Sequence, residues 1–200
     1  SRRIIAIHRG LLTPFFFIIM IKSIETYYKG YLCRSRTEAR WMVAFDEAGI
    51  KYEYEPEGFD LDKVGKYLPD FYLPQVDMYA EVKGKQFTLQ ELKKARALSD
   101  YEEKCVLLLD GAPARKGYWA ICYYNCWGAY ETEYEDETFN ILDFDIFEGH
   151  EYWLHESRFF AGTGTGMESF PLSHSNGHSD ESDSAAVRKS RSARFEHYRK

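Results

Sequence analysis

The segment KCVLLLDG, residues 104–111, is a continuous apolar run between a charged residue and a glycine. Such a run is typical of a β-strand that is buried on both faces, because a strand with one face in water alternates apolar and polar residues. The preceding segment, TLQELKKARALSD at 88–100, has the periodicity of an amphipathic helix, and Thr88 and Glu91 have the spacing of a capping box. The two segments together predict a helix that leads into a buried strand.

An earlier helix is predicted over residues 35–50, SRTEARWMVAFDEAGI, which place apolar side chains at near-helical spacing. Gly49 supplies a C-terminal stop, and Ser35 with Glu38 forms a second capping-box pattern. The apolar positions are Ala39, Met42, Val43, Phe45 and Ile50.

Three strands are predicted between these helices. Residues 51–59, KYEYEPEGF, alternate aromatic and acidic side chains, and DLDKVG at 60–65 predicts a turn. KYLPDFYL at 66–73 is the second strand, where Pro69 indicates an edge or a bulge, and MYAEVKG at 78–84 is the third. The predicted order is therefore helix, three strands, helix, strand.

Further strands are predicted after Gly111. The candidates are YWAICYYNCWGAY at 118–130, TFNILDFDIF at 138–147 and EYWLHESRFF at 151–160. They extend the sheet or form a small antiparallel flap. We expect a single domain over residues 30–160.

The two ends of the chain differ from this domain. Residues 161–184 are rich in Gly, Ser, His and Asp and predict a disordered linker. The basic residues 185–200 predict a short helix that docks on the core or touches phosphates, or else a solvated tail. Residues 1–29 are expected to be an extension or arm. The apolar run at 11–21 superficially resembles a signal peptide, but it is too short for a membrane span and no small-residue cleavage site follows, so we expect neither secretion nor membrane insertion.

The net charge of −6 does not exclude a nucleic-acid partner, because the acid is concentrated in residues 101–150, which hold 3 Lys+Arg and 11 Asp+Glu. Its densest part, ETEYEDE at 131–137, predicts a solvated strand or loop face. The four cysteines form no C-x-x-C pair and lie in apolar or aromatic surroundings, which favours buried free thiols over zinc ligands or disulfides and suits a reducing cytoplasm. They are Cys33, Cys105, Cys122 and Cys126.

Charged residues interrupt the two predicted strands of YLPDFYLPQVDMYAEVKG, residues 67–84. Side chains alternate along a strand, so Glu81 and Lys83 share a face, and Asp70 reaches that face if the strands are neighbours. Buried carboxylates repel unless a cation neutralises them, and Mg²⁺ suits oxygen ligands from Asp70, Glu81 and the carbonyl of Val82. Such an ion would polarise a phosphodiester and lower the pKa of a bound water, which Lys83 would orient. The alternative is a salt-bridged cluster on a solvent-facing sheet.

Pro-Asp at 69–70, followed after ten residues by Glu-Val-Lys at 81–83 within this order of elements, resembles the PD-(D/E)xK nuclease superfamily, in particular its small phage and bacterial members. The resemblance covers roughly residues 30–111. It implies an α/β, restriction-endonuclease-like core around a central mixed sheet and DNA cleavage that depends on Mg²⁺ or Mn²⁺. The implied catalytic set is Asp70, Glu81 and Lys83.

The resemblance also implies roles for residues around this set. Glu38 matches an acidic residue that many members contribute from the first helix, although a capping-box glutamate would instead fold back on Ser35. Gln90 is an accessory candidate on the second helix. DNA binding needs positive potential near the cleft. The basic candidates are Arg34, Arg36, Arg40, Lys85, Lys93 and Lys94, with Arg96 further along the second helix.

The sequence therefore predicts a metal-dependent DNA endonuclease or resolvase-like enzyme in the cytoplasm of a bacterium or phage-infected host, and a homodimer if it cuts both strands. Two other interpretations stay open. One is a non-catalytic nucleic-acid-binding or assembly protein that keeps the nuclease fold. The other is a membrane-tethered factor that uses residues 11–21 as its anchor.

Overall fold

The computed structural model describes residues 23–114, 117–145 and 185–195. Over these residues the chain is an α/β protein with a large mixed sheet and three α-helices. None of the helices in this part of the chain is long and apolar enough to cross a bilayer. The predicted arm residues up to 22, the predicted strand at 151–160 and the predicted linker at 161–184 lie outside the described residues.

The described residues form α-helices, β-strands and a 3-10 turn at Asp62–Val64. The helices are α1 (Arg36–Ala48), α2 (Leu89–Glu102) and α3 (Ala185–Ser192). The strands are β1 (Thr26–Tyr28), β2 (Tyr31–Cys33), β3 (Glu53–Tyr54), β4 (Phe59–Asp60), β5 (Lys66–Tyr67), β6 (Phe71–Leu73), β7 (Met78–Lys83), β8 (Val106–Asp110), β9 (Gly117–Cys122), β10 (Tyr130–Tyr134) and β11 (Glu137–Asp145).

Seven strands form the central sheet in the order β10-β11-β9-β8-β7-β6-β3. The pair β7 and β8 is parallel and is connected through α2, whereas the other pairs in the sheet are antiparallel. Two small hairpins, β1–β2 and β4–β5, lie outside this sheet. The mixed sheet agrees with the predicted fold class.

Helices cover both faces of the sheet. Ala80 and Val82 of β7 belong to the core cluster that contains α1 and α3, whereas Tyr79 packs into the cluster that contains α2. Because side chains alternate along a strand, Glu81 and Lys83 share the face of Tyr79. The strand therefore brings its charged residues to the α2 side of the sheet.

Both predicted helices of the core are confirmed. The Ser35 hydroxyl accepts the Glu38 N–H at the start of α1, and Gly49 ends the helix with φ 67°, a backbone angle that favours glycine. In α2 the capping box of Thr88 and Glu91 is complete. The capping box predicted for α1 is only half formed, because the Glu38 carboxylate accepts from the Ser35 hydroxyl rather than from the Ser35 N–H.

The predicted strands need two corrections. The single strand predicted over 66–73 is two strands, β5 and β6, with Pro69 in the break, because proline cannot donate to a strand ladder. The strand predicted over 51–59 is likewise divided between β3 in the central sheet and β4 in a separate hairpin. The hairpin β1–β2 also runs across the boundary that we placed between residues 29 and 30.

The later strands and the basic tail extend the domain. Strands β9 and β11 continue the sheet as predicted, although the strand predicted over 118–130 ends at Cys122 and a loop follows it. The segment predicted as a solvated strand or loop face contains most of the edge strand β10, on which Glu131 and Glu133 are exposed. The tail forms α3, which packs against α1 with Val187 fully buried and Lys189 paired with Glu47. Of the interpretations left open for the tail, docking on the core is the one that the structure shows.

Candidate active site

Strand pairing brings Asp70 and Glu81 together. In the antiparallel pair β6–β7, Phe71 is opposite Ala80, so the next pair in the same register is Asp70 and Glu81. Asp70 is 3% exposed and Glu81 is 7% exposed. Two carboxylates thus lie side by side in a buried setting.

The Glu81 carboxylate has a partner on each oxygen. Its Oε1 lies 2.8 Å from the Lys83 ammonium, and its Oε2 accepts a 2.9 Å hydrogen bond from the hydroxyl of Tyr67 in β5. Because Tyr67 is buried, its hydroxyl fixes the direction of the carboxylate. The predicted pair of Glu81 and Lys83 is present in the structure.

Lys83 also reaches the first turn of α2, where its Nζ lies 3.3 Å from Glu91 Oε1. Burial opposes the lysine charge, but the neighbouring Glu81 and Glu91 outweigh it and raise the pKa of Lys83. Burial likewise opposes ionisation of Glu91, yet the Thr88 N–H and the Lys83 charge lower its pKa. Lys83 is therefore a fixed cation between two carboxylates.

Asp70 is held at both oxygens. Its Oδ2 accepts the Val82 N–H at 2.7 Å, and its Oδ1 lies 2.5 Å from the Arg34 guanidinium. Burial first, and then the charges of Glu81 and Glu38, raise the pKa of Asp70 to about 8 against the lowering effect of these two donors. Burial and the neighbouring carboxylates therefore favour the protonated form of Asp70.

Arg34 links the site to the N-terminal hairpin. Besides Asp70 it contacts Glu55, with Arg34 Nε 2.6 Å from Glu55 Oε1. Burial opposes the Arg34 charge, but Asp70 and Glu55 outweigh it and raise the pKa of Arg34, while the pKa of Asp70 is also raised. The raised pKa of Asp70 matters more for the chemistry of the site than the raised pKa of Arg34. Asp70 is buried, whereas the Arg34 side chain is half exposed and its charge is screened by solvent.

Glu38 both caps α1 and adjoins the site. Its Oε1 accepts the Ser35 hydroxyl at 2.6 Å, while Oε2 accepts the Arg34 N–H at 3.0 Å and the Tyr54 hydroxyl at 2.7 Å. The residue is buried, and its charge contributes to the raised pKa of Asp70. Both oxygens of Glu38 are therefore engaged near the start of α1, and a catalytic role for Glu38 stays a prediction.

A cleft of about 750 Å³ opens beside Glu81, between the β4–β5 hairpin and the start of α2. Four basic residues line it, together with the acidic Asp60, Glu81 and Glu91. The basic residues are Arg34, Lys66, Lys83 and Lys94. A cleft of this kind presents positive groups to an anionic ligand around one buried carboxylate.

The other predicted binding residues lie elsewhere. Lys85 and Gln90 line a separate cleft, which is formed by the loop before α2 and the first turn of that helix. Lys93 is paired with Glu137 of β11 at 2.7 Å, and Arg96 bonds to the same glutamate. Arg36 and Arg40, both half-buried on α1, are not among the described residues that line the cleft beside Glu81. Of the predicted basic set, the structure brings Arg34 and Lys94 to that cleft.

The carboxylate oxygens of Asp70 and Glu81 are the type of ligand that a hard divalent ion prefers. Within the described residues, however, no three carboxylates of the site have ligand atoms all within 4.8 Å of one another. Asp70 and Glu81 would hold an ion together with backbone or water oxygens. The contact recorded for Val82 is its N–H group, which donates to Asp70, and a role for its carbonyl stays a prediction.

Sequence reasoning did not identify Tyr67, Lys66 or Glu91 as parts of the site. Tyr67 and Lys66 stand three and four residues before Asp70, but their position depends on the β4–β5 hairpin, which forms around the predicted turn yet lies outside the central sheet, and the strand pattern did not indicate this separation. Glu91 was assigned only to the helix cap, and it also contacts Lys83. Its spacing of eight residues from Lys83 carries no recognisable pattern.

Comparison with known proteins gives no relative for this arrangement. No protein-family model matches the chain, and neither a curated protein nor a solved structure matches it.

Proposed function

We propose that the chain hydrolyses phosphodiester bonds in DNA at the cleft beside Glu81, with a divalent metal ion as cofactor. The observation that carries the proposal is the convergence of Asp70, Glu81 and Lys83 at one end of β7, where Lys83 lies 2.8 Å from Glu81 and both of these residues line a cleft with four basic side chains. This set and order of residues resembles the PD-(D/E)xK nucleases. The buried, neighbouring carboxylates of Asp70 and Glu81 support a cation site, because a bound cation would relieve their repulsion.

Asp70 and Glu81 are the residues that would hold Mg²⁺ or Mn²⁺. The ion would polarise the phosphodiester and acidify a bound water. Tyr67 keeps one oxygen of Glu81 engaged and so orients the carboxylate. Lys83, held between Glu81 and Glu91, offers an ammonium to the attacking water and to the negative charge that grows on the phosphate.

The DNA backbone would follow the basic rim of the cleft. Lys66 on the β4–β5 hairpin and Lys94 on α2 stand on its walls, and phosphate contacts supply most of the affinity for DNA. Cleavage of both strands would require two such sites, which favours a homodimer. The free thiols of the described chain are consistent with a reducing compartment such as the bacterial cytoplasm.

The decisive experiment is cleavage of supercoiled plasmid and of branched DNA with Mg²⁺ or Mn²⁺ and with EDTA. We expect metal-dependent cutting that falls about 100-fold or more in Lys83→Ala, since removal of one group that stabilises developing charge costs a factor of this order. Lys93→Ala is the matched control, because Lys93 is paired with Glu137 outside the cleft. Absence of cutting with either metal, or equal cutting by Lys83→Ala, would refute the proposal.

Adjacent lysines on α2 give a separate test of the binding surface. Lys94→Ala is expected to weaken DNA binding and to lower the salt dependence of log K by about one unit, whereas Lys93→Ala leaves both nearly unchanged. Equal effects of the two variants would remove the cleft from the binding surface.

One observation favours a second candidate, a DNA-binding protein that does no chemistry. The Arg34 guanidinium already lies 2.5 Å from Asp70, so a side chain supplies part of the neutralisation that an ion would give. This candidate predicts salt-dependent DNA binding without metal-dependent turnover, and binding that Asp70→Asn leaves unchanged. Cutting that is lost in Asp70→Asn would exclude it.

A further inference from the structure

Three of the four cysteines meet at the end of β7 and β8 that is remote from the cleft. Cys105 immediately precedes β8, whereas Lys83 is paired with Asp110 at the other end of that strand. The separation from Cys105 to Asp110 corresponds to about 16 Å along a strand. The cysteine cluster is therefore a separate location in the fold, and its chemistry is independent of the carboxylates.

Strand register and one loop assemble the cluster. Val106 is opposite Ile121 in the antiparallel pair β8–β9, so Cys105 and Cys122 are the next cross-strand pair, and their Sγ atoms lie 2.8 Å apart. Cys126 comes from the loop after β9 and lies 3.6 Å from Cys105, measured between Sγ atoms.

The loop that carries Cys126 is folded back on the sheet by two local hydrogen bonds. The Cys126 N–H donates to the Tyr123 carbonyl at 3.2 Å, and the Ala129 N–H donates to the Cys126 carbonyl at 3.2 Å. Asn125 adopts a φ of 63°, a left-handed angle that asparagine tolerates better than most residues. This turn directs the third thiol to the other two.

We propose that Cys105, Cys122 and Cys126 bind a thiophilic metal ion, Zn²⁺ or Cu⁺. All three Sγ atoms lie within 4.8 Å of one another, and this is the one group of three or more His, Cys, Asp or Glu residues in the described chain that meets that distance. Sulfur atoms that share a tetrahedral zinc ion at a Zn–S distance of about 2.3 Å are roughly 3.8 Å apart, so modest side-chain rotations complete the site.

The ligand chemistry separates this site from a magnesium site. Thiolate sulfur selects Zn²⁺ and Cu⁺, whereas Mg²⁺ requires oxygen ligands. Each thiol releases its proton to solvent when it coordinates, so no oxidant or reductant takes part. Cys105 and Cys122 are buried, whereas Cys126 is partly exposed, so an ion can enter from solvent on the Cys126 side. The coordination position that the three thiolates leave open would hold a water molecule or stay empty.

The test uses the full chain, reduced and freed of metal, with Co²⁺ as a spectroscopic probe. We expect thiolate-to-cobalt charge-transfer absorption that saturates at one ion per chain, that Zn²⁺ removes and that Mg²⁺ does not affect. Cu⁺, added without oxygen in competition with a chelator, distinguishes the two proposed ions. Either ion should also raise the Tm.

Cys126→Ser is the main variant, because Cys126 is only partly buried and its replacement should leave the fold intact. We expect its affinity for metal to fall at least about tenfold. Cys33→Ser is the matched control, since Cys33 is a buried thiol whose Sγ contacts Met42 outside the cluster. Asp70→Asn should give the same thiolate-to-cobalt absorption as the wild type, because oxygen ligands do not produce this band, so the result is independent of the nuclease proposal.

Three results would overturn the inference. The first is the absence of charge-transfer absorption and of Cu⁺ binding by the reduced protein. The second is an equal loss of affinity in Cys33→Ser and Cys126→Ser. The third is charge-transfer absorption that does not saturate at one ion per chain, because the three thiols form one site.

Discussion

Replacement of Asp70 by asparagine should stabilise the metal-free protein increasingly as the pH rises. Asp70 is buried, and burial together with Glu81 and Glu38 raises its pKa from 3.8 to about 8. The folded state therefore keeps a proton that the unfolded state releases. The stabilisation that this proton gives the folded state is fully present below the pKa of Asp70 in the unfolded state, about 4. It is lost as the pH rises through the pKa in the folded state, about 8.

The magnitude follows from the size of the pKa change. One pKa unit corresponds to about 1.4 kcal/mol, so the free energy of unfolding of the wild type should fall by roughly 3 to 4 kcal/mol between pH 5 and pH 8 through this group alone. Interaction with the neighbouring carboxylates spreads the proton over the cluster, which lowers the lower limit and gives an expected change of about 2 to 4 kcal/mol. The asparagine side chain of the variant carries no charge at any of these pH values, so the variant lacks this loss.

Urea unfolding in EDTA at a series of pH values measures the difference between the two proteins. We expect the difference, variant minus wild type, to grow by about 2 to 4 kcal/mol from pH 5 to pH 8. Asp60→Asn, which removes an exposed carboxylate from the same cleft, is the matched control. A difference that stays constant, or that shrinks with pH, would mean that Arg34 stabilises Asp70 as an anion, and the reasoning would fail.

Three further predictions concern single contacts, each measured by urea unfolding. Tyr67→Phe removes the hydroxyl that donates to buried Glu81, so it should lower the free energy of unfolding by about 1 to 2 kcal/mol and, if the nuclease proposal holds, slow cleavage; an unchanged stability would contradict the contact. Thr88→Ala removes the α2 cap and should cost about 1 kcal/mol, whereas Thr88→Ser should restore most of it. Val187→Ala opens a cavity between α3 and α1 and should lower the free energy of unfolding by about 2 kcal/mol. Lys189→Ala breaks an exposed ion pair and should lower it by less than about 1 kcal/mol. Equal losses in the two variants would refute the packing of α3.

The elements with strong local patterns were predicted correctly from the sequence. Helices α1 and α2 have both apolar periodicity and caps, and β8 is a continuous apolar run, so local propensity and burial indicate the same structure. The division at Pro69 and the separation of the β4–β5 hairpin from the central sheet were missed. Their strands are only two residues long, so the period-two pattern has no length over which to appear.

The candidate site was predictable where it depends on one strand and its neighbour. Glu81 and Lys83 share a face of β7 by alternation alone, and the register of β6 adds Asp70. The partners that come from distant segments could not be predicted in this way. Tyr67 reaches Glu81 through a separate hairpin, and Cys126 reaches Cys105 through a turn, so neither contact leaves a spacing that a linear pattern can record.

Arg34 pairs with two carboxylates of the candidate site, Asp70 and Glu55. It was predicted as a DNA contact from its charge and its place before α1, yet it lies against Asp70 and Glu55 within the carboxylate cluster. A metal ion at Asp70 would compete with this guanidinium for the same oxygens, since both neutralise the same negative charge. If a metal ion were bound at Asp70, Arg34 would be free to turn towards the cleft that it lines, where a phosphate oxygen could accept its hydrogen bonds. The contact of Arg34 with Asp70 and its proposed contact with DNA would then belong to the metal-free and metal-bound forms of one site.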